Sequence, residues 1–268
     1  MSGSKVKFYR SLGGKALLLA VVPTVSILFG IIIYTALSMS DEMREENESL
    51  LQNISEKVAL EIERSNSHAV TVAQIMAYAQ ESGGLFGKRA ESTEYARRIL
   101  EESPEFTGAC FGYEPNIDQN DAVFLKSNAG QKLAQALDKE GRFLPYWYRD
   151  QNNETKLLLA PLIDMETSLY YKGVKDSFLK SGSALPMVTE PYIYEGKMIM
   201  EQVYPIVIGK KFVGIAGIDR SLSDITDFIK EIKQREDVDI FLVSRLGKFI
   251  AVTTEQQADL ITKAVIET

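Results

Sequence analysis

Hydrophobic patterning divides the chain into three parts. Residues 16–37 form an apolar run without a single charge. From residue 39 to about residue 80 there is neither Gly nor Pro, and apolar or small residues recur at steps of three and four. After the Gly pair at 83–84, short apolar runs alternate with turn signals. This order predicts a membrane-length helix, a long helix with one apolar stripe, and then a domain built mainly of short strands.

The first apolar run predicts a transmembrane helix over residues 16–37. Twenty-two residues at helical rise span about 33 Å, enough for a hydrocarbon core of about 30 Å. The flanks differ in charge, with Lys5, Lys7, Arg10 and Lys15 before the run and Asp41, Glu42, Glu45 and Glu46 after it. The positive-inside rule therefore predicts a single-pass inner-membrane protein, with residues 1–15 cytoplasmic and the bulk periplasmic or extracellular. A cleaved signal peptide, with Ala-Leu-Ser at 36–38 as cleavage site, is the alternative, but the run is longer than a signal peptide needs.

The second part predicts a stalk helix over residues 38–82. Its stripe consists of Leu51, Ile54, Val58, Ile62, Ser65, Ala69, Val72 and Met76. A heptad-like stripe of this kind can pair with a second copy of the helix, or it can pack on the chain's own domain. Both interpretations stay open, and both can hold at different heights along the helix.

The third part predicts an α+β fold with a mainly antiparallel sheet. Predicted strands lie at 106–113, 121–126, 144–150, 156–161, 188–194, 198–208 and 211–219, with a polar, partly helical stretch at 164–180. The short turns between the last three strands predict an antiparallel meander. An amphipathic helix over 221–234 follows, opened by Ser221 or Ser223 as cap.

The last 31 residues predict a hairpin over 239–252 and a short helix over 255–267. A segment of this size is too small to bury a core by itself. We therefore expect a complete lobe over 83–237 and, over 238–268, the truncated start of a second lobe.

Composition narrows the function classes. A net charge of −7 argues against nucleic-acid binding. One cysteine, Cys110, excludes an intrachain disulfide and a cysteine zinc cluster, and one histidine, His68, leaves few nucleophile–histidine pairs. We expect Cys110 to be a small buried filler. No phosphate loop and no metal-ligand spacing is present, so we expect no catalytic residue, no metal, no cofactor and no enzymatic activity.

Several stretches together resemble the double Cache (dCache, PAS-like) extracytoplasmic sensor region of bacterial chemoreceptors and sensor kinases. They are FGYEPN (111–116), GRFLPYWYRD (141–150), YYKGVKDS (170–177), EPYIYEGK (190–197) and GKKFVGIAGIDRSL (209–222). The resemblance covers roughly residues 40–255. It implies a membrane-distal PAS-like lobe that holds a small-molecule ligand, followed by a membrane-proximal lobe and a signalling domain.

Asp219 is the first candidate ligand residue. Strand alternation predicts that Val213, Ile215, Gly217 and Asp219 share one face, with the glycine leaving space beside the carboxylate. The resemblance implies that this aspartate receives a ligand's ammonium group. A helix N-cap near Ser221 is the alternative role.

Two further stretches match the family in part and differ from its amino-acid binders at one position each. Tyr192 matches a ligand-binding tyrosine, whereas Tyr194 stands where amino-acid binders have an acid. In those binders an arginine that clamps a carboxylate precedes an aromatic pair. This chain has Ser168 at that place, followed by the pair Tyr170 and Tyr171. A standard α-amino acid is therefore disfavoured.

Aromatic side chains plus one carboxylate predict an organic cation as ligand, an amine or quaternary ammonium compound. The candidate ligand residues are Asp219, Tyr192, Tyr194, Tyr171, Tyr170, Trp147, Tyr146 and Arg149. Trp147 points opposite to its neighbours on a strand, and core packing is the alternative for each aromatic.

Two other functions remain open. One is a sensor for a small carboxylate or amino acid, held by Arg142 and Arg149. The other is a shortened, non-signalling interaction protein tethered to the membrane. The expected partners are a small-molecule ligand, the membrane, and a second copy or a full-length receptor in a dimer.

Overall fold

The structure is a computed structural model that describes residues 12–150, 152–194, 197–254, 261 and 263. It divides into two compact units, Met1–Lys57 and Val58–Thr268. The predicted cytoplasmic segment before residue 12 lies outside the described residues, and so does the predicted helix over 255–267 except for residues 261 and 263.

Helix α1 (Leu12–Glu81) contains residues of both units. It carries Pro23 inside it and ends just before the Gly pair, where the sequence predicted its end. Within the described residues it is the one helix long and apolar enough to cross a membrane. Large apolar side chains of the predicted span, such as Ile27 and Phe29, are more than half exposed, as a lipid-facing surface requires.

The remaining elements belong to the second unit. The helices are α2 (Arg89–Glu102), α3 (Asp121–Lys126), α4 (Asn128–Lys132), α5 (Val174–Ser181) and α6 (Ser223–Glu236). The strands are β1 (Phe106–Tyr113), β2 (Pro145–Asp150), β3 (Asn153–Pro161), β4 (Met187–Val188), β5 (Tyr192–Tyr194), β6 (Lys197–Ile208), β7 (Lys211–Ser221), β8 (Phe241–Val243) and β9 (Phe249–Val252). A short 3₁₀ turn (Ala134–Ala136) and a π-helical turn (Leu169–Gly173) complete the fold.

Within the described part of the chain, the main sheet has seven strands, and the pairs between them are antiparallel. Its order is β3-β2-β1-β7-β6-β4, and β5 also pairs with β6. The predicted meander is confirmed, because β5 pairs with β6 and β6 with β7. The predicted hairpin over 239–252 is confirmed as β8 and β9. The α+β fold class inferred from the sequence is therefore correct.

The face of the sheet that meets the helices carries the larger core. Ala69, Ala73 and Met76 of α1 pack there with Ala96 and Leu100 of α2, and all five are fully buried. Leu51, farther toward the N-terminus on the same stripe, is 52% exposed. The stripe thus packs on the chain's own sheet in its C-terminal part.

The opposite face of the sheet carries a smaller core and the candidate site. Tyr171, Val174 and Phe178 from the π-turn and α5 pack there on Phe212 and Ile215 of β7. Val213 lies in the core of the helix-covered face, so the prediction that it shares a face with Ile215 and Asp219 was wrong. The pairing of β6 with β7 shifts register between Ile206 and Val207, and an extra residue on β7 reverses the alternation there.

The predicted strand over 121–126 was also wrong, since this segment is helix α3. Its short apolar run fits either structure, and periodicity alone does not separate them. Tertiary contacts decide the outcome: buried Arg89 is ion-paired with Asp118 and with Asp121, the first residue of α3. Strand β1 pairs with β2 on one side and with β7 on the other, so residues 121–126 are not its neighbour in the sheet.

Helix α6 begins without the predicted serine cap. Its N-cap position is Leu222, and no side chain caps it. Ser221 instead accepts a hydrogen bond from the backbone N–H of Ser223 at 3.1 Å. Asp219 lies farther back, inside β7, and does not cap the helix.

Candidate functional site

Asp219 is buried on the sheet face opposite the helices. It is 5% exposed, and its Oδ2 accepts a hydrogen bond of 2.7 Å from the hydroxyl of Tyr146. Burial raises the pKa of Asp219 to about 6, and the Tyr146 hydrogen bond acts in the opposite direction. The hydrogen bond described for the Asp219 side chain therefore comes from a tyrosine hydroxyl and not from a backbone amide of helix α6.

A second buried carboxylate faces the first. Glu201 of β6 is the cross-strand partner of Asp219 and is 7% exposed. Residues directly opposite each other on antiparallel strands have Cβ atoms about 4.5–5.5 Å apart, so their side chains interact. Burial, and then the charge of Asp219, raises the pKa of Glu201 to about 8, against the effect of a 3.2 Å hydrogen bond from the Tyr192 hydroxyl.

We call Glu201 and Asp219 the carboxylate pair. Among the residues that the structure describes, neither member forms an ion pair, and the hydrogen bonds to their side chains come from the two tyrosines. Ionising both carboxyl groups at this separation in a buried site costs free energy, because the two negative charges repel each other. Burial and mutual repulsion therefore favour a proton or another positive charge at the pair.

Glu201 was missed by sequence reasoning. A signal was present, since Glu201 and Gln202 are adjacent polar residues inside the otherwise apolar strand β6. Alternation sends Glu201 to the site face and Gln202 to the helix face. There Gln202 donates a 3.2 Å hydrogen bond to the side-chain oxygen of Asn66 in α1. Arg220, which follows Asp219 in the chain, donates to the same oxygen at 3.2 Å.

Glycine makes room for the pair at a different position from the one predicted. A Cβ on Gly108 would lie 2.7 Å from Asp219 Oδ2 and 2.7 Å from the Tyr146 ring. A Cβ on Gly217 would lie 2.8 Å from the sulfur of Cys110, so the space beside that glycine is filled by the thiol. Cys110 is buried, as expected for a small filler, and Gly108 is the glycine next to the carboxylate.

Among the described residues, Tyr146, Tyr170 and Tyr192 lie near the pair. Tyr146 stacks on Tyr148 with ring centroids 5.4 Å apart. Tyr192 is 38% exposed and forms the outer edge of the site. Burial raises the pKa of Tyr170 and of Tyr192, and for both the nearby charge of Glu201 adds to the shift. The side chain of Tyr194 lies outside the described part of the structure.

Three candidates from the sequence are placed away from the pair. Trp147 points to the helix-covered face, where its indole N–H donates to the Thr93 carbonyl at 2.9 Å. Arg149 shares that face and donates to the carbonyls of Phe106, Leu100 and Ser103, near the end of α2. Tyr171 is fully buried and donates its hydroxyl proton to Glu114.

Arg142, the alternative carboxylate clamp, is also engaged by the protein. Its Nε donates to the Tyr113 carbonyl at 2.6 Å, and its Nη1 to Glu166 at 3.1 Å. Its guanidinium lies 4.9 Å from the centre of the Tyr171 ring. The structure therefore brings together Asp219, Tyr146 and Tyr192, adds Glu201, and keeps both arginines in structural contacts.

No protein-family model and no curated protein sequence matches the chain. Solved structures do. The extracellular domain of mmHK1S-Z2, a protein assigned as a histidine kinase, is 30% identical, with a TM-score of 0.59 over 76% of this chain and 69% of that one. A structure described as methyl-accepting chemotaxis protein X is 23% identical, with a TM-score of 0.61 over 78% and 74% of the two chains.

A third similar structure is the ligand-binding domain of the Pseudomonas aeruginosa amino-acid chemoreceptor PctC in complex with GABA. It is 16% identical, with a TM-score of 0.52 over 82% of this chain and 81% of that one. At this level of identity the likeness concerns the fold. The three are described as an extracellular domain of a histidine kinase, a methyl-accepting chemotaxis protein and a chemoreceptor ligand-binding domain, which agrees with the resemblance found in the sequence.

Proposed function

Because the chain belongs to the Cache family of sensor domains, found in chemoreceptors and histidine kinases, we propose that it is a membrane-anchored sensor for a small organic cation. The ligand, an amine or a quaternary ammonium compound, binds at the carboxylate pair. Occupancy of that site changes the position of helix α1, and this change is the signal.

The carboxylate pair is the observation that carries the proposal. Two acids with raised pKa values face each other in a buried place, and no described cation neutralises them. Buried charges are normally paired or bound to a ligand, because an unpaired one is costly. An organic cation supplies the missing charge.

The aromatic surroundings support the same ligand class. Tyr146, whose ring stacks on that of Tyr148, is hydrogen-bonded to Asp219, and Tyr192 is hydrogen-bonded to Glu201. A cation over a tyrosine face gains roughly 0.5–2 kcal/mol, more when water is excluded. Carboxylates and rings together suit a cation that also carries apolar surface.

An amino acid is less well supported than a simple amine. Arg142 and Arg149 are both held by carbonyl groups of the protein, and Ser168 stands where the resemblance calls for a clamping arginine. PctC is described in complex with GABA, a compound whose ammonium group is separated from its carboxylate. An ammonium group is the part of such a ligand that the carboxylate pair suits.

A route from the site to α1 is part of the proposal. Glu201 and Asp219 face the ligand, while their neighbours Gln202 and Arg220 donate hydrogen bonds to Asn66 of α1. A shift of β6 against β7 at the site therefore acts on both donors to the helix. We propose that residues 16–37 of α1 cross the inner membrane with the N-terminus in the cytoplasm, as the flanking charges favour.

Pairing of α1 with a second copy, or with a full-length receptor, also remains a proposal. The exposed Leu51 supports it, whereas the buried Ala69 and Met76 of the same stripe are already covered. We therefore assign the N-terminal part of the stripe to pairing.

A ligand screen on the full chain in detergent micelles tests the function. We expect an amine or quaternary ammonium compound at one hundred times its Kd to stabilise the protein by about 2.7 kcal/mol, seen as a higher melting temperature. Asp219→Asn should abolish the shift and keep the fold, measured by circular dichroism. A shift caused only by carboxylates or α-amino acids, or an undiminished shift in the variant, would contradict the proposal.

A further inference from the structure

The second acid of the carboxylate pair changes what the site can recognise. The resemblance implies an ammonium contact for Asp219, and the structure sets Glu201 directly opposite it across β6 and β7. Asp219 accepts a hydrogen bond from the Tyr146 hydroxyl, and Glu201 accepts one from the Tyr192 hydroxyl. Both of these hydroxyl protons are therefore already donated to carboxylate oxygens.

These two hydrogen bonds use one oxygen of each carboxyl group, Oδ2 of Asp219 and Oε1 of Glu201. The second oxygen of each carboxyl group can accept a further hydrogen bond, and it needs a donor when a ligand closes the site to water, because a buried acceptor without a donor is unfavourable. The ligand must bring these donors.

Among the side chains that the structure describes, the titratable groups that face the pair from the neighbouring elements carry no positive charge. They are Cys110 on β1, Tyr146 on β2, Tyr170 in the π-turn and Tyr192 on β5. Burial raises the pKa of Cys110, Tyr170 and Tyr192, and the charge of Glu201 adds to the rise, so these three groups are neutral around pH 7. Charge and hydrogen-bond donors must therefore come from one ligand group.

We propose that this group is a protonated primary amine whose N–H bonds bridge Glu201 and Asp219, and that Glu201 is the residue that selects it over a quaternary ammonium. The inference rests on the proposed function and narrows its ligand class. A primary ammonium has three N–H donors, enough for both carboxylates at once. A quaternary ammonium carries the same charge but no donor, so it leaves both oxygens unsatisfied.

Binding also moves a proton. The empty pair holds one proton between its two carboxyl groups near neutral pH, since both are buried and repel each other when ionised. A bridging ammonium replaces that proton as the positive charge, and the proton leaves to the buffer. Binding should therefore strengthen as the pH rises through the range in which the empty pair loses this proton.

Titration calorimetry on the full chain in detergent tests the proposal with an N-methylation series. Ethanolamine, its monomethyl and dimethyl derivatives, and choline all carry one positive charge at pH 7 but lose N–H donors step by step. We expect ethanolamine to bind at least tenfold more tightly than choline. Heats measured in two buffers of different ionisation enthalpy should report release of up to one proton. A second pair, phenethylamine and its trimethylammonium analogue, repeats the comparison on another skeleton.

The variant Glu201→Gln keeps the size of the side chain and removes its charge. It should weaken ethanolamine binding at least tenfold and change choline binding little, so that the preference disappears. Glu94→Gln, on the exposed part of α2, changes the net charge equally and should keep the preference. If Glu201→Gln does not fold, the wild-type comparison of ethanolamine with choline still tests whether the site prefers a primary amine.

The outcomes separate the two proposals. Equal or tighter binding of the quaternary members by the wild type overturns the primary-amine inference and leaves the proposed cation sensor standing. A preference that survives Glu201→Gln removes Glu201 as its cause. If no member of either skeleton binds, both the inference and the proposed function are wrong.

Discussion

Glu201 of β6 and Asp219 of β7 lie directly opposite each other across two antiparallel strands, and both side chains are buried. Each carboxyl group is hydrogen-bonded to one tyrosine, Tyr192 and Tyr146 respectively. Neither is neutralised by a described cation. Such a pair reduces the stability of the empty protein and creates a place for a cation, so the effects of its residues on stability and on binding should be opposite in sign.

The first prediction concerns pH. Burial raises both carboxyl pKa values, to about 6 for Asp219 and about 8 for Glu201, above unfolded values of roughly 3.9–4.3. The native state then binds more protons than the unfolded state between about pH 4 and pH 8, so stability falls as the pH rises through this window. The melting temperature of the unliganded chain should decrease from pH 5 to pH 8.

Glu201→Gln is the matched variant for this measurement. It removes one of the two acids, so its melting temperature should vary less with pH and should exceed that of the wild type at pH 8. Melting curves that stay parallel for wild type and variant from pH 5 to pH 8 would show that the pair does not control this dependence.

The second prediction concerns Gly108. An added methyl group would lie 2.7 Å from both Asp219 Oδ2 and the Tyr146 ring, closer than such contacts allow. Gly108→Ala should therefore displace the carboxylate or the ring and weaken ligand binding at least tenfold, measured by calorimetry. Gly173→Ala is the control, since its methyl group meets its nearest neighbours at an ordinary 3.5 Å. Equal binding by the two variants would count against a ligand next to Asp219.

A third prediction uses the close contact between Gly217 and Cys110. A Cβ at Gly217 would lie 2.8 Å from the Cys110 sulfur, so Gly217→Ala overpacks this part of the sheet and should destabilise the protein by about 1–3 kcal/mol. Cys110→Ala removes the sulfur. In that background Gly217→Ala should cost clearly less, which a double-mutant cycle of denaturant unfolding measures. Strictly additive effects would mean that another contact causes the loss.

The fourth prediction separates a structural arginine from a ligand clamp. Arg149 donates to the carbonyls of Phe106 at 2.8 Å and Ser103 at 3.1 Å, and also to that of Leu100. Arg149→Met should lower the free energy of unfolding by roughly 1–3 kcal/mol, because buried carbonyls lose their donor. Ligand affinity, measured below the melting temperature, should stay within about twofold of wild type. A large loss of affinity at unchanged stability would return Arg149 to the binding site.

Several features of the fold followed from local pattern alone. The end of α1 at the Gly pair, the meander of β5, β6 and β7, and the hairpin of β8 and β9 depend on helical periodicity, alternation and short turns. These signals act between residues close in the chain, so the sequence displays them directly. Asp219 was visible for the same reason, as an acid at the end of an apolar strand.

Other features depended on contacts between distant segments. Residues 121–126 form a helix because Arg89, more than thirty positions earlier, binds Asp121. Trp147 and Arg149 resemble site residues in the linear sequence, but alternation on β2 turns both toward the helices. Val213 changes face because the register of β6 against β7 shifts by one residue.

The sequence by itself determined a long apolar helix followed by an antiparallel α+β lobe, a Cache resemblance, and one acid of the site. Only the tertiary structure decided that Glu201 is the second acid and that Gly108, rather than Gly217, lies next to the Asp219 carboxylate. It also decided that Arg142 and Arg149 donate hydrogen bonds to carbonyl groups of the protein. The physical reason is that periodicity records which way a side chain points relative to its neighbours in the chain. Which side chain it then meets is set by strand register, and register arises from pairing across the whole sheet.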